Sequence, residues 1–344
     1  MRNLTKFVSV AAAAAIAAGA NVTSFAAFSD MPTGEMGSAL QRAVDVGLMN
    51  GVSDTEIAPD ENITRAQMAT ILVRAFGAED YENPNAKPAE FADVPASEWY
   101  AKMVSKASLI GAFQGDDDNN FNPNNNITFQ ETYIVLSRMF GFEPYEAKYS
   151  DGRIELVSDC DASVLNAYPD AKQADSWATN YVKYIVGNGG WTGIGGQLKP
   201  KDNITRGEFA MLMNKIVANY VDESKEYTKA DLKDGNTLVR APGATIKGFE
   251  TNGNVVITYG VGEKGATVAE STVNGVTLIL GGADATPKAN SKGKLMPDNP
   301  NVHISGTFKD VRNQTPFVYL DASGAKMSFY KGTDNSLVSV ALMQ

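Results

Sequence analysis

Apolar positions follow helical spacing through the first two thirds of the chain and become strand-like beyond about residue 237. Leu40, Ala43, Val44 and Leu48 recur at helix period and predict one helix, with Gly47 placed for a left-handed cap at its end. A second type of helix starts at a polar tetrapeptide that occurs three times: Thr64-Arg65-Ala66-Gln67, Thr128-Phe129-Gln130-Glu131 and Thr205-Arg206-Gly207-Glu208. Apolar runs follow each one: Met68, Ile71 and Leu72; Ile134, Val135 and Leu136; Phe209, Leu212 and Met213. Threonine at the cap with Gln or Glu three residues on is a capping box, in which each side chain bonds the other residue's N–H. Thr64, Thr128 and Thr205 are therefore read as helix caps.

The three copies share more than the helix start. Pro59, Pro123 and Pro200 stand five residues before the threonines, and Gly47/Gly51, Gly111/Gly115 and Gly189/Gly193 stand further upstream. An aromatic-x-Asp triplet opens each copy: Phe28-Ser29-Asp30, Phe91-Ala92-Asp93 and Tyr168-Pro169-Asp170. Two short helices cannot bury an apolar face alone, so the copies are expected to pack as one all-α unit.

Beyond this unit lies a charged stretch at 218–236, read as a connector, and then a β-rich domain at 237–344. Thr245-Ile246 recurs as Thr267-Val268, and Asn252-Gly253 as Asn274-Gly275, both at an offset of 22 residues. That period predicts a short parallel β-solenoid, with a β-sandwich as the alternative. Residues 1–26 read as a signal peptide: Arg2 and Lys6, an alanine-rich apolar run, and small residues before a cleavage point after Ala26, with Ala18-Gly19-Ala20 as the second choice. The run is too short to span a bilayer, and no other segment approaches the roughly 20 apolar residues required, so no membrane insertion is expected.

The chain carries 30 Lys+Arg against 40 Asp+Glu, and loss of Arg2 and Lys6 would take the net from −10 to −12. That balance argues against nucleic acid as a partner. Cys160 is the only cysteine, so no intramolecular disulfide exists. Asp116, Asp118 and Asn120 match the first positions of a calcium loop, but Phe121 and Ile127 stand where glycine and glutamate are needed. A turn is the better account, and no metal or other cofactor is expected. His303, the single histidine, sits in a predicted strand, where packing or a surface position outweighs chemistry. Asp298, Asp310, Asp321 and Asp334 lie in no catalytic motif, so no enzymatic activity is expected.

The chemistry concentrates at the helix starts. Arg65 and Arg206 stand at the first helical position, where a guanidinium beside free backbone N–H groups would form an anion site. Phe129 replaces arginine in the second copy, which predicts a weaker or altered site there. Trp99 and Trp177 occupy equivalent places, with Met36 in the first copy; they either anchor the first helices or offer ring faces to a sugar.

Residues 28 to about 217 resemble three tandem S-layer homology (SLH) domains. The resemblance rests on the aromatic-x-Asp, Trp, Gly-x-x-x-Gly and Thr-Arg-Ala-Glu-like elements recurring in order. It sets the repeats at 27–78, 88–141 and 142–217, the last with an insertion at 142–167. It implies a pseudo-threefold helical assembly that binds secondary cell-wall polysaccharide through an acidic, pyruvylated sugar. Arg65, Gln67, Glu131, Arg206 and Glu208, with Trp99 and Trp177, would line the grooves. An exported surface-coat component that self-associates in a lattice follows as the leading expectation, with a wall-anchored carbohydrate-active enzyme or an adhesin as the alternatives.

Overall fold

The computed structural model describes residues 28–83, 86–148, 154–157, 159–330 and 337–339. The signal peptide expected at residues 1–26 lies outside the described residues, as do Asp334 and positions 149–153 and 158 of the insertion. The helical part runs α1 (Gly34–Asp45), α2 (Arg65–Ala75), α3 (Ala101–Leu109), α4 (Phe129–Phe140), a hairpin of β1 (Tyr145–Lys148) and β2 (Ile154–Val157), α5 (Thr179–Gly187) and α6 (Arg206–Ile216). The hairpin is antiparallel and falls within the expected insertion.

All three capping boxes form: Thr64, Thr128 and Thr205 each accept from the N–H three residues on, while Gln67, Glu131 and Glu208 reach back to the cap. Gly47 and Gly111, both at φ +72°, turn the chain out of α1 and α3. Helices then pair across repeats: α1 packs on α6, α3 on α2 and α5 on α4. Each repeat thus lends its first helix to the second helix of a neighbour, which is why no single copy has a core of its own.

The ring closes through the backbone. Antiparallel bridges join Thr64 to Asn126, Thr128 to Asn203 and Asn62 to Thr205. Behind them, the aspartate of each opening triplet clamps the next loop. Asp30 accepts from Ile57 and Ala58 N–H, Asp93 from Phe121 and Asn122, and Asp170 from Leu198 and Lys199, all at 2.7–2.8 Å. Ala58, Asn122 and Lys199 take positive φ of 51°, 58° and 50° just ahead of the prolines. Such backbone persists in non-glycine residues only where the surroundings hold it, and the carboxylates supply that hold.

The rest of the chain forms β3 (Asn219–Val221), β4 (Glu226–Thr228), β5 (Thr237–Val239), β6 (Ala244–Lys247), β7 (Glu250–Thr251), β8 (Val255–Ile257), β9 (Ala266–Ile279), β10 (Lys288–Ala289), β11 (Leu295–Met296), β12 (Val302–Asn313), β13 (Tyr319–Asp321), β14 (Ala325–Tyr330) and β15 (Leu337–Ser339). All but β10 and β11 join one 11-stranded sheet, and its strand pairings are parallel. Thr245 pairs with Thr267 and Ile246 with Val268, so the 22-residue recurrence is a structural register.

Residues 218–236 are not a connector. They contain β3 and β4, which pair with β5 and β6, because Val221 and Tyr227 bury into the sheet's core between the charged side chains. The sheet has its own core, yet it also contributes to that of the helices. Leu238, Val256, Val276, Leu278 and Leu280 of the sheet pack into the helical core. Polar contacts follow the same seam: Asn254 Nδ2 donates to Phe140 O, Asn236 Nδ2 to Ile216 O, and Arg312 Nη1 to Glu143 O.

Candidate functional site

The helix starts meet at three interfaces between repeats. The N–H groups there are not free. Arg65 and Ala66 N–H donate to Asn125 and Pro123 carbonyls, Phe129 and Gln130 to Asp202 and Pro200, and Arg206 and Gly207 to Glu61 and Pro59, at 2.8–3.0 Å. The expected anion site of open helix N–H groups is therefore overturned: ring closure gives every one of these donors a carbonyl from the adjacent repeat.

The guanidinium groups also leave the helix axis. Arg65 Nε donates to Phe121 O at 2.8 Å, and its Nη1 meets Glu131 Oε1 at 3.1 Å. Its carbon lies 5.4 and 5.2 Å from the ring centres of Phe113 and Phe121, which sandwich the cation. Arg206, only 7 % exposed, donates from Nε to Ile57 O (2.7 Å) and from Nη2 to Asn50 O (2.6 Å). Burial pushes both arginines below their ordinary pKa; Glu131 leads the opposing effects at Arg65, and Glu61 followed by Asp30 opposes it at Arg206. No carboxylate bonds Arg206 among the described residues, because its capping partner position holds the neutral Gln67.

The interface of repeats two and three solves the same problem without arginine. Phe129 is buried against Tyr133, and the Tyr133 hydroxyl donates to Leu198 O at 2.5 Å, the carbonyl equivalent to Phe121 O and Ile57 O. Trp191 Nε1 donates to the same hydroxyl at 3.1 Å. Burial raises the Tyr133 pKa far above the ordinary phenol value. A cation is present after all: Lys199 Nζ meets Glu208 Oε1 at 2.9 Å, much as Arg65 meets Glu131.

Sequence reasoning missed Tyr133, Trp191 and Lys199. Tyr133 lies one helical turn beyond Phe129, and Lys199 fills the pre-proline place held by Ala58 and Asn122, so a position-by-position alignment of the copies carried the signal. Asp175 was missed too; it binds Gln130 through two hydrogen bonds and Lys201 through an ion pair.

Trp99 and Trp177 are 64 % and 54 % exposed, which overturns the core-anchor alternative and leaves two ring faces in solvent. Met36 instead packs against Gly207 at the start of α6.

The remaining candidates have local roles. Asp116 accepts from the Asp118 and Asn120 N–H groups and the Asn122 side chain, which makes the loop a turn. His303 sits at half exposure 3.3 Å from Asp321. Asp310 pairs with Arg312 in a buried contact, and Asp298 pairs with Lys288. Cys160 is half-buried under α5, and burial raises its thiol pKa. Among the described residues, no helix is long and apolar enough to cross a membrane.

The S-layer homology domain profile matches residues 27–69, 90–132 and 167–210. Three S-layer homology domains are therefore present in the chain. A surface-layer 125 kDa protein of Lysinibacillus sphaericus is 30 % identical over 241 residues, 68 % of this chain and 18 % of that protein. A cell surface protein of Thermoanaerobacter kivui is 30 % identical over 154 residues, 43 % of this chain and 20 % of that one. An amylopullulanase of Thermoanaerobacterium thermosulfurigenes is 26 % identical over 171 residues, 48 % of this chain and 8 % of that enzyme. The chain thus spans a fifth or less of the length of each of these relatives.

Proposed function

We propose that the three S-layer homology domains anchor this cell-surface protein to secondary cell-wall polysaccharide by gripping an acidic, pyruvylated sugar at the repeat interfaces. The observation that carries this reading is Arg206: a buried guanidinium bonded only to backbone carbonyls, at an interface where the capping partner is neutral. A ligand carboxylate there would gain a charge-assisted bond without displacing a protein acid. Arg65 and Lys199 each hold a glutamate already, so those interfaces bind an acid less well. The exposed faces of Trp99 and Trp177 supply stacking area for sugar rings.

On this reading the β-rich part is a short parallel solenoid that is displayed outward, and the protein takes its place in a surface coat by self-association. Its repeated parallel registers support the solenoid: Thr237 pairs with Val255, Val255 with Thr277, and Val302 with Leu320. A non-catalytic role fits the engagement of Asp298, Asp310 and Asp321 in the contacts given above. The test is cosedimentation of the full chain with wall sacculi before and after removal of secondary polymer. Binding that survives the removal, or that is indifferent to Arg206→Ala, would sink the proposal.

A further inference from the structure

A cleft of about 830 Å³ opens where the segment after α2 meets the β-rich part. Its floor carries Tyr81 and Tyr259, whose ring centres are 4.4 Å apart, and Leu295 of β11 stands 49 % exposed at the rim. Burial, with Tyr81 alongside, pushes the Tyr259 pKa well above the ordinary phenol value. Gly260, Gly281 and Gly282 stand in the wall where a Cβ would run into Arg240 O, Thr258 O and the Val302 side chain, so the wall there is closely packed backbone. Of the four lining glycines at 260, 262, 281 and 282, Gly262 alone has open space beside it.

Charge selects what enters. Five carboxylates line the cleft and no lysine or arginine does. Asp80 and Glu82 are offset by Lys102 and Lys106 from outside the lining, and Asp284 is held by the backbone N–H groups of Thr286 and Asp298. Glu79 from the helical part and Glu263 from the β-rich part make no ion pair among the described residues. The acids are also spread: among the described residues no three His, Cys, Asp or Glu side chains converge to hold a metal ion. Negative charge distributed over the lining, beside tyrosine rings that attract cations, matches a chain bearing several positive groups better than a point ion.

We propose that this cleft binds a lysine- or arginine-bearing peptide segment of a partner protein. The site is distinct from the repeat interfaces, has the opposite charge preference, and stands or falls independently of wall anchoring. Its volume lies within the roughly 300–1,000 Å³ of small-ligand pockets.

Calorimetric titration of the full chain with tetralysine, at low and at physiological salt, tests it. Saturable binding that weakens with salt is expected, and Glu79→Gln and Glu263→Gln should each weaken it by roughly three- to tenfold. Both side chains are partly or fully solvent-facing, so circular dichroism should show the fold retained. Glu56→Gln, outside the cleft, should leave binding unchanged. Absence of saturable binding, or an equal loss with Glu56→Gln, overturns the proposal. Equal affinity for tetraglucosamine, which has the charges without the peptide backbone, would overturn the peptide assignment in favour of an amine-bearing sugar.

Discussion

Arg65 and Arg206 hold the same repeat position but face different electrostatics. Glu131 pairs directly with one, while Gln67 leaves the other, among the described residues, with no bonded carboxylate and only the longer-range fields of Glu61 and Asp30. Arg206→Ala should therefore lower affinity for the wall glycan by about tenfold to a hundredfold, the range for a lost charge-assisted bond. Arg65→Ala should cost less, and calorimetry with purified glycan compares them; equal losses would defeat the charge argument. Both variants should also lose about 1–3 kcal/mol of stability, because Phe121, Ile57 and Asn50 carbonyls would be left without donors. A cation at a helix start opposes the helix dipole, so on local grounds its removal would be neutral or slightly stabilising. The side chains bond across repeats rather than lying over their own helix ends. Trp99→Ala and Trp177→Ala offer the clean separation: stability should hold within about 0.5 kcal/mol, as for exposed sites, while glycan affinity falls. Unchanged affinity in both would remove stacking from the binding account.

The helix starts and the loop clamps work as elements, and each has its own signature. Thr64→Ala, Thr128→Ala and Thr205→Ala should each cost about 0.5–2 kcal/mol in thermal unfolding, the usual loss for an N-cap. Asp30 has its pKa depressed, chiefly by the Ile57 N–H bond and also by that of Ala58. A depressed folded pKa means its stabilising contribution is present above the unfolded value near 3.8 and is lost as pH falls through the folded value. Asp30→Asn should flatten the acid limb of a stability-against-pH curve below about that value; an unaltered limb would show that other carboxylates set it. The caps were legible in the sequence because a capping box is a contact within four residues. The clamps were visible only as a recurring aspartate, since their N–H partners lie 27 to 29 residues away. Coils of the sheet were read only where the step is 22 residues; the 18-residue pairing of Thr237 with Asn219 and Val255 lay hidden, because it repeats no side-chain motif.

The whole molecule has one seam rather than a linker, with sheet residues filling the helical core. All three tryptophans, at 99, 177 and 191, lie in the helical part, so their fluorescence reports its unfolding while hydrogen exchange in β9 reports the sheet. The two transitions should coincide. Leu278→Ala, at a fully buried place on the seam, should lower both together by about 2–5 kcal/mol. Helical melting that leaves the sheet protected would mean the seam does not couple them. Local grammar determined much of this protein by itself: three repeats, the first helix and the three helix starts at Thr64, Thr128 and Thr205, the capping boxes, a β-rich second part and one 22-residue register. All of these depend on contacts close in sequence or on a period, which a linear chain displays directly. Tertiary structure alone decided which helix pairs with which and that the cap N–H groups are closed by neighbouring repeats. It also decided that Tyr133 bonds Leu198 O and Lys199 pairs with Glu208 where the arginine is missing, and that residues 218–236 contain two strands of the sheet. Those outcomes turn on which carbonyl, acid or apolar face arrives from a distant segment, and the chemistry of a residue does not specify its distant partner.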